Sequence, residues 1–306
     1  MKWRVVAGWL GVLAIGSTGF GHVASIGLLL SGIDPREPAG ESALGRYDLS
    51  GDPSGRVELP GKLTEISGLA VSDDGRMFAH NDERSVISEL DVNSGQIVKS
   101  FALGDPIVRG DFEGLAIAGG RFYIVTSEGI IYETGEGTDG ERVPFKRHIT
   151  GLGTECEIEG LAYDPASRTL LLACKECRNG ALCDWVTVFR WSIAKKAVAR
   201  AATLRIPFRV ARDAGLRAFN PSGIERDPKT GNYLIVSAQQ RAIIELTATG
   251  KLVASVKLEK RWHRQSEGIT ILPDLTLVVS DEGRKKERPG SMTFYASRGN
   301  AGAGSR

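Results

Sequence analysis

A short motif built around a glycine recurs five times along the chain and constrains its fold more than any other feature. The copies are Ile66-Ser67-Gly68-Leu69-Ala70, Phe112-Glu113-Gly114-Leu115-Ala116, Ile158-Glu159-Gly160-Leu161-Ala162, Pro221-Ser222-Gly223-Ile224-Glu225 and Ser266-Glu267-Gly268-Ile269-Thr270. Their glycines are 46, 46, 63 and 45 residues apart, a period typical of one four-stranded propeller blade. Because a unit of this size cannot bury both faces of its sheet alone, successive units must pack on one another. The longer third spacing indicates an insertion.

Each copy is followed by a tight turn and a second strand rich in β-branched and aromatic residues. The turn Asp73-Asp74-Gly75 and the strand from Phe122 to Thr126 are examples. The pattern predicts an all-β fold, a five-bladed β-propeller, with a six-bladed ring as the alternative. The segment Arg56-Val57-Glu58-Leu59 also has strand character, and we expect it to pair with the last strand, Met292 to Tyr295, and close the ring.

The first 33 residues are interpreted as a targeting segment. Lys2 and Arg4 precede a run from Val5 to Ile33 that has no charged residue and is long enough to cross a bilayer. Its poor cleavage site and the acidic residues after it favour an uncleaved anchor in the cell membrane, with the propeller outside the cytoplasm; a cleaved signal that yields a secreted or periplasmic protein is the alternative. Seven glycines in the run disfavour a third interpretation, a buried helix. The expected order is signal anchor or signal peptide 1–33, linker 34–45, propeller 46–296 and disordered tail 297–306.

The repeated Glu-Gly steps predict a cluster of carboxylates at one end of the central channel. Glu113, Glu159 and Glu267 start inner strands at equivalent positions of three blades. Counting back through each hairpin brings the ends of the second strands to the same mouth, and these contribute Asp82, Glu128, Glu176, Asp281 and Glu282. Crowded carboxylates need protons, basic partners or a cation, and oxygen donors of this kind favour Ca²⁺ over zinc. The alternative is that each Glu-Gly step is only a bulge with its side chain in solvent.

The repeats resemble those of the SdiA-regulated family of bacterial proteins over about residues 60–296. The resemblance rests on the Glu-Gly steps and on Ile124-Val125-Thr126-Ser127-Glu128 and Val279-Ser280-Asp281-Glu282-Gly283 at the ends of second strands. It implies a five-bladed propeller with bound calcium and no established biochemical activity. More remote likeness extends to phytase-like esterase and metal-dependent lactonase propellers. The chain departs from the family pattern at Ser222 and Gln239, where others have acids, and in the cysteines of the third unit.

Four cysteines, all in the third unit, are open to three interpretations. They are Cys156, Cys174, Cys177 and Cys183. In an oxidising compartment two disulfides are expected, with three possible pairings. The spacing of Cys174 and Cys177 also suits half of a zinc site or a redox dithiol, although no second such pair follows.

Two classes of function are compatible with these features. The first is an extracytoplasmic calcium-binding propeller of unestablished activity that recognises a ligand or an envelope partner. The second is a metal-dependent hydrolase of esters, lactones or phosphoesters at the channel mouth, with His80 as the candidate general base; His80 could equally just hydrogen-bond a carboxylate. A net charge of +2 without a basic stripe argues against a nucleic-acid partner.

Overall fold

The computed structural model describes residues 41–209, 215–216 and 218–298, and these form a ring of five β-sheets. Each sheet begins with one of the five repeated motifs, which supplies its innermost strand. The inner strands contact those of the neighbouring blades in the order one, two, three, four, five and back to one. The five-bladed prediction is therefore confirmed, and the six-bladed alternative is wrong because the described strands build five sheets.

The strands follow chain order within the blades, with two exceptions at the outer edges. Blade one contains β2 (Ile66–Val71), β3 (Met77–Asn81), β4 (Val86–Leu90), β5 (Ile97–Leu103) and β9 (Arg142–Val143). Blade two contains β6 (Phe112–Ala118), β7 (Arg121–Thr126), β8 (Ile130–Thr134) and β10 (Phe145–Ile149). Blade three contains β11 (Cys156–Asp164), β12 (Thr169–Cys177), β13 (Trp185–Ser192), β14 (Ala197–Val198) and β15 (Leu204–Pro207). Blade four contains β16 (Gly223–Arg226), β17 (Tyr233–Ser237), β18 (Ala242–Leu246) and β19 (Leu252–Lys257).

Blade five closes the ring with strands from both ends of the described chain. It contains β20 (Ser266–Ile271), β21 (Leu277–Asp281), β22 (Ser291–Tyr295) and the early strand β1 (Gly55–Glu58). β1 pairs antiparallel with β22, with Val57 opposite Met292. The predicted closure is confirmed. It covers an edge that would otherwise be open to pairing with another chain.

The apolar side chains form separate clusters between adjacent blades. Blades one and two share a T-shaped pair of Phe78 and Phe122, with ring centroids 4.9 Å apart. Blades two and three share Tyr123 and Trp191, both fully buried. Because each cluster joins neighbours rather than filling a common centre, the axis of the ring is left free for polar groups.

Four short 3-10 helices of the described residues lie before, between and within the blades. They lie at Leu44–Arg46, Gly61–Leu63, Leu152–Thr154 and Arg200–Ala202. The first packs on blade four, where the buried carboxylate of Glu245 accepts hydrogen bonds from the Ala43 and Leu44 amides at 2.8 and 3.0 Å. The predicted targeting segment and most of the predicted tail fall outside the described residues. No helix among those that are described is long and apolar enough to cross a membrane.

Candidate cation site at the channel mouth

A β-bulge opens four of the five inner strands at the repeated motif. The pairing register shifts between Ile66 and Gly68, between Phe112 and Gly114, between Ile158 and Gly160, and between Ser266 and Gly268. The residue skipped by each shift is Ser67, Glu113, Glu159 or Glu267. A bulged residue has no partner in the ladder, and its side chain is turned away from the strand's regular alternation. The recurring Glu-Gly step is thus a device that aims three glutamates from three blades.

The glycine of each motif lies where neighbouring blades meet. A Cβ on Gly114 would lie 2.6 Å from the backbone nitrogen of Leu161 in the next blade, and one on Gly223 would lie 2.5 Å from the Glu267 carbonyl oxygen. These distances are shorter than real Cβ contacts. The motif glycines therefore allow five inner strands to close into a narrow waist. An axial cavity of about 10 Å³ lies at the waist, which is room for about one water-sized particle.

The three bulged glutamates influence one another's ionisation. Burial raises the pKa of Glu113 to about 9, and the charge of Glu159 adds to the rise. Burial raises the pKa of Glu267 to about 8, again with Glu159 as the second cause. Burial also raises the pKa of Glu159, to about 7, against the hydrogen bond from Lys175 that lowers it. At neutral pH the metal-free cluster therefore holds protons that ordinary glutamates would have lost.

Lys175 supplies the cluster with a positive charge, which was not predicted. Its Nζ donates to Oε1 of Glu159 at 2.8 Å and lies 3.7 Å from Oε1 of Glu157. Burial acts to lower the pKa of Lys175, but the hydrogen bond and charge of Glu159, with further charge from Glu267 and Glu157, raise it overall. The sequence feature that could have indicated Lys175 was its position on β12, opposite the start of β11.

The other two motifs have a serine at the position of the glutamate, and each serine forms a hydrogen bond with the next blade. Ser67 donates its hydroxyl to Oε2 of Glu113 at 3.1 Å. Ser222 of blade four instead donates to the backbone carbonyl of Ser266 at 2.6 Å and so ties blade four to blade five. The carboxylates are therefore concentrated on blades two, three and five.

Two further predicted ligands, Asp82 and Glu282, form a separate rim group between blades one and five. Burial raises the pKa of both, and the charge of Glu65 contributes to each rise. Oδ1 of Asp82 is buried without a hydrogen-bond partner among the described residues. Lys285 supplies one positive charge to the same rim, with its Nζ 2.6 Å from Glu65 and 3.0 Å from Glu83.

The remaining three predicted ligands lie elsewhere. Asp281 is buried in blade five, where it accepts hydrogen bonds from Nδ1 of His263 at 2.8 Å and from the Gln265 amide at 3.0 Å. Glu128 and Glu176 are exposed, and the side chain of neither forms a hydrogen bond or ion pair with a described residue. The single predicted set of eight carboxylates is thus divided into a channel trio, a rim pair, one buried structural group and two exposed side chains.

His80, the candidate general base, is fully buried on β3. Its Nδ1 lies 2.9 Å from the Asn81 carbonyl oxygen, and its Nε2 has no partner among the described residues. Nε2 is directed at Gly68, where a Cβ would come within 2.5 Å of it. Burial lowers the pKa of His80 to about 4, so the ring is neutral at pH 7.

The cysteines form two disulfides at the end of the blade that carries Lys175. Cys156 pairs with Cys174, and Cys177 pairs with Cys183. The disulfide prediction is confirmed, and the connectivity left open by the sequence is settled. The first bridge joins Cys156 at the start of β11 to Cys174 near the end of β12. Glu157 and Lys175 are the residues that directly follow these two cysteines in the chain.

The donors around the waist fit a hard cation by chemistry and by charge. Glu113, Glu159 and Glu267 carry three negative charges when ionised and Lys175 one positive charge, which leaves a net charge of −2. All their donor atoms are oxygens, as Ca²⁺ prefers. In the described part of the chain, however, no three His, Cys, Asp or Glu side chains are already grouped as a finished metal cage. Binding would therefore require the glutamates to lose protons and draw together.

These features define the class of the protein: a five-bladed β-propeller with an acidic channel mouth. A profile of the SdiA-regulated family matches residues 55–284, and the chain belongs to that family.

Among solved structures, the chain is similar in fold to two enzymes. Glutaminyl cyclase of Myxococcus xanthus aligns with a TM-score of 0.57 and 15% identity over 79% of this chain and 94% of that one. The PQQ-bound aldose sugar dehydrogenase of Streptomyces coelicolor aligns with a TM-score of 0.55 and 11% identity over 80% of this chain and 97% of that one. The search of curated proteins found no significant match. At these identities the two structures support the fold alone.

Proposed function

We propose that this protein is an extracytoplasmic calcium-binding propeller that recognises a ligand or an envelope partner. The observation that carries the proposal is that three bulged glutamates, the buried Glu159 and the half-buried Glu113 and Glu267, influence one another's ionisation, while the ammonium group of Lys175 bonds to Glu159. Burial raises the pKa of each glutamate, and the negative charge of a neighbouring glutamate adds to the rise. A divalent cation would bring the fully ionised cluster to neutrality.

Glu113, Glu159 and Glu267 would hold the ion, with Lys175 as their permanent counter-charge. When bound, the ion supplies positive charge to carboxylates of blades two, three and five. The chain's own groups do the rest: the bulges aim the carboxylates, the glycines let the blades approach, and Ser67 holds Oε2 of Glu113. We therefore assign the site a role in fixing the ring and its mouth.

The proposed location rests on the disulfides together with the N-terminal sequence. Two disulfides within one blade are typical of proteins in an oxidising compartment. The uncharged run from Val5 to Ile33 would hold the propeller at the outer side of the cell membrane. A protein released by cleavage of this segment is the alternative.

The hydrolase alternative has weaker support because of the position of His80. A general base must come within hydrogen-bond reach of the proton that it takes. His80 is fully buried, and its Nε2 is directed at Gly68. The enzymes of similar fold do not change this, since propellers host unrelated functions.

Thermal unfolding of the chelated protein with and without Ca²⁺ tests the proposal. Because the ion binds the closed ring and not the unfolded chain, Ca²⁺ at 100 times its Kd should add about 2.7 kcal/mol to the free energy of unfolding and raise Tm. The triple variant E113Q/E159Q/E267Q should lose this rise.

The double variant E128Q/E176Q is the matched control, because it removes two acids predicted from the same pattern but exposed in the structure. It should respond to Ca²⁺ like the parent. No Tm rise in the parent, or an equal rise in the triple variant, would overturn the proposal.

A further inference from the structure

The opposite end of the channel contains a second set of cavities, away from Glu113, Glu159 and Glu267. One cavity is about 420 Å³ and the other about 210 Å³. They share the walls Val71, Glu225, Arg226 and Pro228. Together they are lined by the far ends of the inner strands of all five blades. They therefore form one funnel at this end of the ring, which we call the lower funnel. This volume is in the range of small-molecule sites.

The sequence explains why the funnel is open and asymmetric. Two residues after each motif glycine the chain has Ala70, Ala116, Ala162, Glu225 and Thr270. Three blades thus contribute a methyl group at this level, and the fourth contributes a carboxylate. The small side chains leave the space, and Glu225 is the one carboxylate at this level of the five motifs.

Glu225 is held in place by hydrogen bonds without being neutralised. Its Oε2 accepts from the Thr270 hydroxyl at 2.9 Å, and its Oε1 accepts from the Arg226 backbone amide at 2.6 Å. No Lys, Arg or His of the described residues forms an ion pair with it. The guanidinium of Arg226, the next residue, is instead 3.0 Å from Asp164 in blade three. Lys229, at the rim, lies 3.5 Å from Glu41.

We infer that the lower funnel binds a small aliphatic amine, whose ammonium group pairs with Glu225 and whose hydrocarbon body lies against the alanine side. The apolar wall includes Leu115, Ile117, Leu161, Ile271 and Leu272. A charge-assisted hydrogen bond in a partly dry pocket is stronger than a neutral one, so the ammonium group is the part of the ligand that the site recognises. The glycine waist separates this funnel from the proposed cation site.

The proton on Glu225 makes the binding dependent on pH. Burial raises the pKa of Glu225 to about 7, opposed by its bonds to the Arg226 amide and Thr270. The charged or titratable groups around the funnel are Asp73, Tyr163, Asp164, Arg226, Asp227 and Lys229. An alkylammonium ion keeps its charge between pH 6 and pH 8, so ionisation of Glu225 governs the change. Affinity should therefore rise about tenfold between these values.

Titration calorimetry of the full chain with n-butylammonium tests the inference. One-to-one binding at pH 8 is expected, with affinity at least about tenfold weaker in E225Q. Glu58 is exposed on β1, so E58Q is the matched control and should bind like the parent. The neutral analogue n-butanol should bind at least about tenfold more weakly than the amine.

Absence of saturable binding at pH 8, equal binding of the alcohol, or unchanged affinity in E225Q would each overturn the inference. If E225Q failed to fold by circular dichroism, the pH profile and the comparison of amine with alcohol in the parent would decide. These measurements are made in chelator, so they do not depend on Ca²⁺.

Discussion

At the scale of single residues, Lys175 determines how the charge of the channel is balanced. Its ammonium group is bonded to Glu159, the glutamate whose charge raises the pKa of both Glu113 and Glu267. Any cation that enters the cluster must therefore coexist with Lys175 or displace it. In the proposed site we therefore expect the lysine to oppose cation binding.

Replacing Lys175 by methionine should tighten Ca²⁺ binding at least about tenfold at pH 9, because a positive charge next to the ion is removed. K175R retains the charge and should stay close to the parent. Calorimetric titration of the three proteins measures the effect. Weaker binding by K175M would show that the lysine supports the site rather than competing with the ion.

The same glutamates predict the pH dependence of the metal-free protein. In the unfolded chain they titrate near 4.5, whereas in the folded protein their pKa values are about 7 to 9. The folded form thus binds more protons in this window, and the free energy of unfolding should fall as pH rises from about 5 to 9. Lys175 does not reverse this, since its raised pKa adds stability that is present throughout the window and changes only above 10.5.

Urea unfolding in chelator at several pH values measures this dependence. The fall should be clearly smaller in the triple variant E113Q/E159Q/E267Q, which cannot titrate at these positions. A parent profile that rises toward pH 9 would contradict the account.

At the scale of elements, the β11–β12 hairpin is the part of the site that the chain reinforces covalently. The Cys156–Cys174 bridge spans 18 residues and the Cys177–Cys183 bridge spans 6. In the chain-entropy description, the longer loop gives the larger stabilisation, about 3 kcal/mol against about 2 kcal/mol. The first bridge also joins the two strands that bear Glu159 and Lys175.

We expect C156S/C174S to lower the free energy of unfolding by about 3 kcal/mol and C177S/C183S by about 2 kcal/mol. Urea unfolding of both variants beside the parent measures the difference. Each double variant serves as the control for the other. A larger loss from the shorter loop, or no loss from either, would contradict the entropic description.

The hairpins also show how far sequence reasoning extends. Turn positions and the Glu-Gly steps were sufficient to predict the blades and the glutamate trio, because both follow from local turn chemistry and period-two pairing. Lys175 was missed because the bulge changes which side chains face the channel, and bulge geometry cannot be read from one strand alone. The partner of Asp281 was missed for another reason: His263 lies in an inter-blade loop, outside any repeat.

At the scale of the whole molecule, the ring depends on chain segments far apart in sequence. β1 completes blade five by pairing with β22. The buried residues before it, including Leu44 and Tyr47, pack against apolar side chains of blades four and five. Without this segment the outer edge of β22 would be unpaired. Closure is therefore the step that couples the five blades into one cooperative unit.

A chain that begins at Leu59 should consequently lose cooperative urea unfolding or unfold at a much lower urea concentration. The loss should exceed about 5 kcal/mol, since each large buried side chain removed contributes about 1.5–3 kcal/mol. A chain that begins at Glu41 is the control and should keep the midpoint of the parent. An equally stable chain lacking β1 would show that closure is dispensable.

The most direct test of the proposed calcium site is the number of protons released when Ca²⁺ is added. Calorimetric titration at pH 7 in PIPES and in imidazole, whose ionisation enthalpies differ, gives this number from the difference in observed heat. Because burial raises the pKa of Glu113 to about 9, of Glu267 to about 8 and of Glu159 to about 7, we expect release of about two to three protons per ion at pH 7, and fewer at pH 9. Binding without proton release, or no binding, would contradict the assignment of Ca²⁺ to these three glutamates.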